Sequence, residues 1–523
     1  MESASEAPSP GRSGAPWWLL AAAAATCLGY LLVERRALGG GSGFPLDDSW
    51  IHLAFARNLA AGHGLSLNPG ELIAGSTAPL WTALLSLVMI LPGSPAFWVK
   101  LLGVVLHLAG VDATYRLARA VDLPPALSAL ATGLSFGTGW LIWSALSGLE
   151  IPLFVALSLW GVLLHLGERG APGRLPLSMV VLAAAALARP EGLLLLALAV
   201  VDRLLAVGLA GWRRLLPGVA LAVLLLLPAV AFNLAVTGSP LPTTFAAKAG
   251  GSRDWLPGLQ AIFSIITILF SVQPWSALLA AGGAVELARR LGTPRDRGLL
   301  PALWLFGLPL VYAALSPPGG IVAGNFGRYY FPLYPFLAVV GVLALAPLAA
   351  RLRPAPAAGF RHRLVLGVVV LLLLWPTALS TVRGSGRYAQ SVVNVQDSDV
   401  AMARWLAERL PPEAVLAVND IGAVGYLLPN RLIDLAGIAN PELAAYFTAP
   451  GGRAAGIRRF LAERRPDYLV VFPAWFPDLV PAGGPFEPIH GLTIADNITM
   501  GGDQLVLYKT PWTRYPLAAT SAR

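Results

Sequence analysis

Cysteine and charged residues are scarce in this sequence, and each scarcity excludes a class of protein. Cys27 is the only cysteine among 523 residues, so a disulfide framework within one chain and a cysteine-based metal cluster are both excluded. Charged residues make up 12%, against roughly 25% in an ordinary globular domain. Hydrophobic residues make up 56%. The composition therefore indicates a polytopic membrane protein rather than a string of soluble domains.

Motifs for nucleotide-driven transport and for serine hydrolysis are also missing. The sequence has no phosphate-binding glycine loop and no serine–histidine triad. Its net charge of +9 comes mostly from arginines in short loops between apolar runs, which is typical of membrane topology and not of nucleic-acid binding. The only lysines are Lys100, Lys248 and Lys509, so an isolated lysine near the membrane is informative.

Apolar runs of about 20 residues are long enough to cross a bilayer, and they predict about eleven spans. The first run, 17–33, is predicted to be an uncleaved anchor after the polar segment 1–16. The run 78–92 is short and is predicted to dip into the membrane without crossing it. The other predicted spans are 96–115, 126–146, 151–166, 177–189, 192–209, 215–235, 258–286 (bent or re-entrant at Pro274), 299–315, 331–350 and 364–382.

The basic residues after position 96 divide unevenly between the two sides of this topology. One side holds fifteen: Arg116, Arg119, Arg169, Arg174, Arg203, Arg213, Arg214, Arg289, Arg290, Arg295, Arg297, Arg351, Arg353, Arg361 and Arg363. The other side holds five: Lys100, Arg189, Lys248, Arg253 and Arg328. The positive-inside rule therefore predicts a cytoplasmic N-terminus and an outer C-terminus. The alanine and arginine bias is typical of GC-rich bacterial genes, so we expect the plasma membrane.

The last quarter of the chain has the composition of a soluble domain. Residues 398–410 are predicted to form a helix that begins at Asp397 or Ser398, and 414–418, 468–472 and 505–508 are predicted strands. The sequence thus predicts a cytoplasmic segment 1–16, a membrane module 17–382 with a first outer loop 38–77, and an outer α/β domain 383–523.

The first outer loop carries two adjacent carboxylates directly after an apolar stretch. Asp47 and Asp48 follow residues 44–46 (FPL), where a carboxylate is costly without a partner or a purpose. A low dielectric raises a carboxylate's pKa, which makes it a better base near neutral pH. One aspartate could instead cap a helix over 49–60. His52, a candidate for substrate contact, lies one helical turn after Asp48 and is either its hydrogen-bond partner or part of a solvated face.

Other polar residues are predicted to lie on the same outer side. Glu150 begins a span and either supports the aspartates or stabilises the helix N-terminus. Lys248, Arg328 and Arg189 are candidate phosphate ligands, because a leaving phosphate needs cations. For Arg189 the alternative is an ion pair with Glu191.

Three further outer residues are candidates for substrate contact. Tyr329 and Tyr330 follow Arg328 and either stack on sugar or anchor the chain at the membrane interface. Asp420 follows a predicted strand and either contacts sugar or belongs to a turn. Convergence of these residues on one face is the main functional signal of the sequence.

An ordered set of short motifs resembles GT-C glycosyltransferases, most closely the branch with cell-wall arabinofuranosyltransferases and relatives of protein O-mannosyltransferases. In the first outer loop the motifs are 47–51 (DDSWI), 55–59 (FARNL), 62–64 (GHG), 68–71 (NPGE), 75–77 (GST) and 80–81 (LW). Later motifs are 147–154 (SGLEIPLF), 188–192 (ARPEG), 240–248 (PLPTTFAAK), 327–335 (GRYYFPLYP), 420–422 (DIG) and 434–437 (DLAG).

The resemblance implies transfer of a sugar, arabinofuranosyl or mannosyl, from a polyprenyl phosphate to a glycan, lipid or protein hydroxyl outside the membrane. The first-loop aspartate of such enzymes is taken as catalytic. Asp47 matches it and Asp48 matches a helper, although many members carry Asp-Glu there. Some relatives use a divalent cation, and the sequence leaves open whether Asp47 and Asp48 bind one.

Two other classes of function compete with this interpretation. A lipid or solute transporter would also have many spans, but internal repeats and charges at mid-membrane would be expected, and neither is visible in the sequence. A non-catalytic scaffold could keep the fold without the chemistry, and only the loss of sugar turnover in an aspartate variant would exclude it.

Overall fold

The computed structural model describes residues 14–169, 176–240, 242, 255–293, 295–315, 325–351, 360–447 and 450–518. Most of the first 400 residues are helical. The helices of this part are α1 Trp17–Ala37, α2 Asp47–Ala60, α3 Pro79–Val88, α4 Pro95–Ala120, α5 Pro125–Phe136, α6 Gly139–Leu146, α7 Ile151–Arg169, α8 Leu177–Ala188, α9 Gly192–Val207, α10 Leu216–Thr237, α11 Trp255–Val272, α12 Pro274–Arg289, α13 Leu300–Leu315, α14 Tyr334–Leu343, α15 Ala346–Arg351 and α16 Phe360–Val395, with 3-10 helices Leu209–Leu215 and Asn325–Leu333.

Several of these helices are apolar enough to cross a membrane. Within the described residues six helices meet the length and composition of a span, and the number is up to eight if each of two bent pairs is one span. Helices α3 and α8, and most of α13, are apolar but shorter. The chain is thus a multi-pass membrane protein, whereas the count of eleven spans stays a prediction.

The two bent pairs are α5 with α6 and α11 with α12. The bend between α11 and α12 is 115° and lies at Gln273, directly before Pro274. A proline cannot donate the backbone hydrogen bond that a continuous helix needs there, so the predicted break is confirmed. The pair α5 and α6 bends by 61°, where the sequence predicted one helix over 126–146.

A buried ion pair joins three helices beneath the first outer loop. Lys100 on α4 donates to both carboxylate oxygens of Glu34 on α1 at 2.5 and 2.6 Å, and both side chains are buried. Tyr388 on α16 donates to the same carboxylate, which also accepts the backbone N–H of Gly43. Because this group is buried and its charges are paired, it fixes the glycine-rich segment that leads to Asp47.

The outer domain contains a five-stranded sheet in the order β2-β1-β3-β5-β4. Strands β1, β2 and β3 are parallel, and β4 and β5 run antiparallel at one edge. Its elements are α17 Ala401–Ala407, β1 Leu416–Val418, α18 Gly422–Leu427, β2 Leu432–Asp434, α19 Ala444–Phe447, α20 Gly452–Arg464, β3 Tyr468–Val471, β4 Glu487–Thr493 and β5 Gln504–Lys509, with 3-10 helices Pro441–Leu443 and Pro473–Trp475.

Three of the five strands match the predicted ones, but two strands were missed and the start of one helix was predicted wrongly. Strands β2 and β4 were missed. The helix expected to begin at Asp397 or Ser398 does not begin there, because α16 continues through a π-helical turn at Gln396–Val400 into α17. The last span therefore extends as one helix into the outer domain, and no helix start separates them.

The first outer loop packs into the core of the outer domain. Ala54 and Phe55 of α2 are buried in one cluster with Leu406, Leu416 and other domain residues. Arg57 on the same helix donates to the carbonyl oxygens of Gly425 and Tyr426 on α18, at 3.1 and 2.5 Å. The loop thus forms the interface between the membrane helices and the sheet.

Candidate active site

The two aspartates of the first outer loop are the first two residues of α2. Leu46 is extended and precedes the helix, and the Asp47 side chain does not cap α2. Carboxylates in the first turn of a helix are stabilised by the helix dipole. Successive residues on a helix point in different directions, so Asp47 and Asp48 reach different partners.

Asp47 caps another helix, α18 of the outer domain. Its carboxylate oxygens accept the backbone N–H groups of Gly422 and Ala423 at 2.6 and 2.7 Å. A Cβ at position 422 would lie 2.1 Å from the Asp47 carbonyl oxygen, so only glycine permits this approach. The predicted cap of a helix over 49–60 is therefore wrong, because α2 already includes both aspartates and the helix that Asp47 caps is α18.

The position of Asp47 also changes its acidity. Burial raises the pKa of Asp47 to about 7, the two backbone hydrogen bonds oppose this, and the charges of Asp48 and Asp434 add to it. The residue is 9% exposed. A carboxylate with a pKa near 7 exchanges its proton at neutral pH, which a general base must do.

Asp48 forms an ion pair with a buried arginine that lies 280 residues later in the chain. Arg328 donates to an Asp48 carboxylate oxygen at 2.5 Å. The arginine side chain is 9% exposed, whereas that of Asp48 is 44% exposed. The ion pair therefore presents a solvent-facing carboxylate above a fixed guanidinium group.

A second ion-pair group lies around Glu150. Arg189 donates to Glu150 and, at 2.6 Å, to Glu191, and Tyr312 also donates to Glu191. Glu150 is buried, but Arg189, His52 and Arg328 together outweigh burial and keep its pKa well below the ordinary value. The predicted ion pair of Arg189 with Glu191 is thus confirmed, and the role of Arg189 as a phosphate ligand stays a prediction.

His52 and Tyr329 connect the two groups. His52 lies 3.2 Å from Glu150, whereas the sequence suggested Asp48 as its partner. Tyr329 has the guanidinium of Arg189 5.2 Å and that of Arg328 5.6 Å from its ring centroid. Two arginines on different segments therefore share one aromatic ring and lie close to one another.

Tyr330 and Lys248 differ from the other predicted residues. Tyr330 is fully buried, and its ring packs edge-on against that of Tyr312 at 5.6 Å. This is a packing role, so sugar stacking by Tyr330 was a wrong prediction. Lys248 lies outside the described residues, and its role as a phosphate ligand stays a prediction.

Asp420 approaches the same region from the sheet. It is half-buried, accepts from the Asn419 side chain at 2.9 Å, and follows the end of β1. Burial and then the charges of Asp47 and Asp48 raise its pKa well above the ordinary value. The structure thus brings Asp420 to the aspartate pair, which the sequence alone could not establish.

Asp399 is a residue of this region that the sequence analysis missed. It is 1% exposed, interacts electrostatically with Asp420 and Asp47, and has one carboxylate oxygen without a hydrogen-bond partner. The signal was its spacing, since Asp399 lies three and four residues before Met402 and Ala403, which are buried on the same helix face.

The described residues of the site form no ready set of ligands for a divalent cation. Each Asp47 oxygen accepts one backbone N–H group, and Asp48 pairs with Arg328. Among the residues that the structure describes, no three His, Cys, Asp or Glu side chains are gathered as a metal site requires.

Comparisons with known proteins agree with this architecture. A family model described as a domain of unknown function (DUF8728) matches residues 386–514, the outer domain. The terminal β-(1→2)-arabinofuranosyltransferase of Mycobacterium tuberculosis is 29% identical over 368 residues, which is 63% of this chain. The match spans only 56% of that relative's length.

Two solved structures resemble the whole chain. ArnT from Cupriavidus metallidurans, bound to undecaprenyl phosphate, has a TM-score of 0.59 at 15% identity and covers 93% of this chain and 97% of its own. The apo oligosaccharyltransferase of Archaeoglobus fulgidus has a TM-score of 0.59 at 12% identity and covers 97% of this chain and 75% of its own. The chain thus shares the fold of ArnT and of the oligosaccharyltransferase, in agreement with the resemblance to GT-C glycosyltransferases that the motifs indicated.

Proposed function

We propose that the chain is a glycosyltransferase that moves a sugar from a polyprenyl phosphate to an acceptor hydroxyl outside the plasma membrane. One observation carries the proposal. Two adjacent carboxylates at the start of α2 are held differently, with Asp47 fixed on a helix N-terminus and Asp48 exposed above the buried Arg328. The proposed base and the proposed phosphate-binding cation thus belong to one cluster of charged side chains.

Asp47 is the proposed general base. The acceptor oxygen forms a bond to the anomeric carbon while the bond from that carbon to the phosphate oxygen breaks. Asp47 takes the hydroxyl proton, and the electron pair of the broken bond leaves with the polyprenyl phosphate. A pKa of about 7 suits this step, because the carboxylate is partly ionised at neutral pH and still basic enough to accept a proton.

Arg328 and Arg189 are the proposed phosphate ligands. Charge builds on the phosphate as the sugar leaves, and preorganised cations stabilise that charge. The planar guanidinium group binds two phosphate oxygens at once. Arg328 donates to Asp48 in this structure, so a phosphate that enters the site must compete with Asp48 for the Arg328 guanidinium group. Glu150 and His52 are proposed to hold Arg189 in place.

The comparisons support the class of donor and favour one sugar. ArnT was solved with undecaprenyl phosphate, and the curated relative is an arabinofuranosyltransferase. An arabinofuranosyl donor is therefore proposed ahead of a mannosyl donor, with a cell-wall glycan as acceptor ahead of a lipid or a protein. The orientation proposed from the arginine bias, with the N-terminus inside, places the site on the outer face.

The experiment is a turnover assay with the full chain reconstituted in lipid and a panel of radiolabelled polyprenyl-phosphate sugars. Wild type is compared with Asp47→Asn and with Glu71→Gln. Glu71 is a carboxylate of the same loop, and its exposed ion pair with Arg431 contributes little stability.

We expect wild type and Glu71→Gln to release polyprenyl phosphate from one donor, and folded Asp47→Asn to release almost none. Equal release by wild type and Asp47→Asn would remove Asp47 as the base. Movement of a labelled lipid or sugar across the membrane, without release of polyprenyl phosphate, would favour the transporter over the glycosyltransferase.

A further inference from the structure

A tryptophan on the outer domain is exposed to solvent, as a binding residue must be, and one face of its ring packs against the protein. Trp475 is 56% exposed and ends the 3-10 helix that follows β3. A Cβ at Gly501 would lie only 2.5 to 2.8 Å from atoms of its indole ring. The ring therefore rests on the glycine backbone, and a side chain there would lift it. One ring face is supported and the residue still presents a large apolar surface.

The segment under the ring is itself fixed. The Asn497 carboxamide oxygen accepts the backbone N–H groups of Thr499 and Met500, and the Asn497 amide donates back to the Met500 carbonyl oxygen. Asn394 on α16 accepts the N–H of Ile498 at 3.0 Å, which ties the segment to the helix that leaves the membrane. An exposed ring held in this way loses little freedom when a ligand binds.

The sheet topology places Trp475 at the same edge as Asp420. Val418 on β1 pairs with Val470 on parallel β3, so Asp420 and Phe472 each lie two residues beyond a paired position. The Phe472 N–H donates to the Asn419 side chain at 3.3 Å, and the Phe472 and Trp475 rings are 6.0 Å apart. The carboxyl ends of parallel strands are the usual ligand-binding edge of such sheets.

We propose that Trp475, with Asn419 and Asp420, forms the subsite for a neutral oligosaccharide, the acceptor of the transferase proposed above. The apolar face of a sugar ring packs on the indole, and the sugar hydroxyls exchange hydrogen bonds with the half-buried Asp420 carboxyl group. The buried Asn419 side chain holds that carboxyl group in position. A neutral polyol fits better than an anion, because Asp420 is surrounded by other carboxylates. The subsite adjoins Asp47 through Gly422, so a bound acceptor leads toward the base.

The inference rests on the proposed function, and two readouts separate them. Acceptor KM, donor KM and kcat are measured for the full chain in lipid. Binding of short synthetic arabinofuranosyl and mannosyl oligosaccharides is measured by saturation-transfer NMR without any donor. The variants are Trp475→Ala, Trp475→Phe and Gly501→Ala, and the control is Ile489→Ala, an exposed apolar side chain on β4.

We expect Trp475→Ala to raise acceptor KM about tenfold, with donor KM unchanged. Trp475→Phe should restore part of the affinity because it keeps a ring. Gly501→Ala should weaken binding although the indole is present, and Ile489→Ala should change nothing. Unchanged acceptor KM and binding in Trp475→Ala would overturn the subsite, even if transfer itself is observed.

The NMR measurement of oligosaccharide binding tests the subsite independently of sugar transfer. If wild type binds an oligosaccharide through Trp475 but transfers no sugar, the subsite stands and the proposed function fails. If wild type binds no member of the panel, the subsite is overturned. If Trp475→Ala keeps its oligosaccharide affinity but reconstitutes poorly into lipid, Trp475 is an interfacial anchor and the subsite is likewise overturned.

Discussion

Buried ion pairs lie at both ends of α7, but the two groups differ in how far their carboxylates are exposed to solvent. The helix is 19 residues long, about 28 Å at 1.5 Å per residue. At its start lies the outer cluster of Asp47, Asp48, Glu150, Arg189, Glu191 and Arg328. At its other end lies the far cluster of His165, Arg169, Asp202 and Asp296.

The carboxylates of the far cluster are saturated. Asp202 is fully buried and accepts from His165 at 2.9 Å, from Arg169 at 3.1 Å and from the Leu299 N–H at 2.7 Å. Asp296 accepts from Arg169 and from the Gly298 N–H at 2.8 Å. The Asp296 side chain is 23% exposed, but its second oxygen accepts the Gly292 N–H at 3.0 Å, so each carboxylate oxygen of Asp202 and Asp296 has a donor. This cluster therefore has the properties of a structural clamp between α7, α9 and the segment before α13.

The outer cluster differs in accessibility and in acidity. Asp48 keeps a side chain that is 44% exposed, and Asp47 has a pKa of about 7. Both clusters contain arginine–carboxylate pairs in similar surroundings, so ion pairing alone does not mark a site. What distinguishes the outer cluster is a carboxylate able to exchange a proton beside another that is open to solvent.

The largest expected effect is on catalysis at the outer cluster. Asp47→Asn should lower the single-turnover rate about a thousandfold, because a general base contributes roughly two to four orders of magnitude. The amide oxygen still accepts one N–H of α18, so the variant should fold, which thermal unfolding checks. A rate within a few-fold of wild type, in folded protein, would give Asp47 a structural role like that of Asp202.

Loss of the buried cation should have the next largest effect. Arg328→Gln should lower kcat/KM for the donor about a hundredfold, the usual cost of removing one donor to a developing anion. Arg328→Lys keeps the charge but loses the planar guanidinium group that binds two phosphate oxygens at once. Its kcat/KM for the donor should therefore lie between those of wild type and Arg328→Gln. Steady-state kinetics with the labelled donor measures both. Equal activity of all three proteins would remove Arg328 from the phosphate site.

The far cluster should respond in stability and not in activity. Asp202→Asn removes the buried charge that pairs with His165 and Arg169 and leaves Arg169 with Asp296 alone, so it should destabilise the protein by about 3 kcal/mol. Thermal unfolding in lipid measures the loss, and the rate per folded molecule should stay at the wild-type value. A large drop in that rate, with normal stability, would show that saturation of the carboxylates does not separate the two clusters.

The smallest expected effect concerns the missed aspartate. Burial and the charges of Asp420 and Asp47 raise the pKa of Asp399 well above the ordinary value, so Asp399 carries a proton near pH 7 and Asp399→Asn removes no charge beside Asp47. The midpoint of the pH–rate profile and the maximal rate should therefore both stay close to the wild-type values. A midpoint that falls would show that Asp399 is ionised beside the base, and a maximal rate that collapses would show that it takes part in the reaction.

The sequence predicted most of the outer cluster because its members flank apolar runs. Glu150, Arg189 and Arg328 each lie at or near the end of a predicted span, and the charge bias assigned them to one side. Asp48 follows the apolar residues 44–46 in the loop assigned to the same side. Their pairing was beyond the sequence, since it depends on how helices distant in the chain meet. The partner of Asp47 is an example, because α18 lies 375 residues further along.

The rest was missed where local signals are weak. Strand β2 has three residues, and β4 contains a proline and a glycine, which lower strand propensity. Asp399 was missed because a helix start was predicted at its position, whereas the helix from the membrane runs through it. Trp475 follows β3 in a proline-containing turn, and only the close approach of Gly501 shows that its ring is supported.

The most direct test of Asp47 as the working base is the single-turnover rate as a function of pH, for wild type and Asp202→Asn. Burial raises the pKa of Asp47 to about 7, and only the ionised carboxylate accepts a proton. The rate should therefore rise with pH through about 7 and then level off, with the same midpoint in both proteins. A rate that is flat across this range, or that falls as pH rises, would contradict the account.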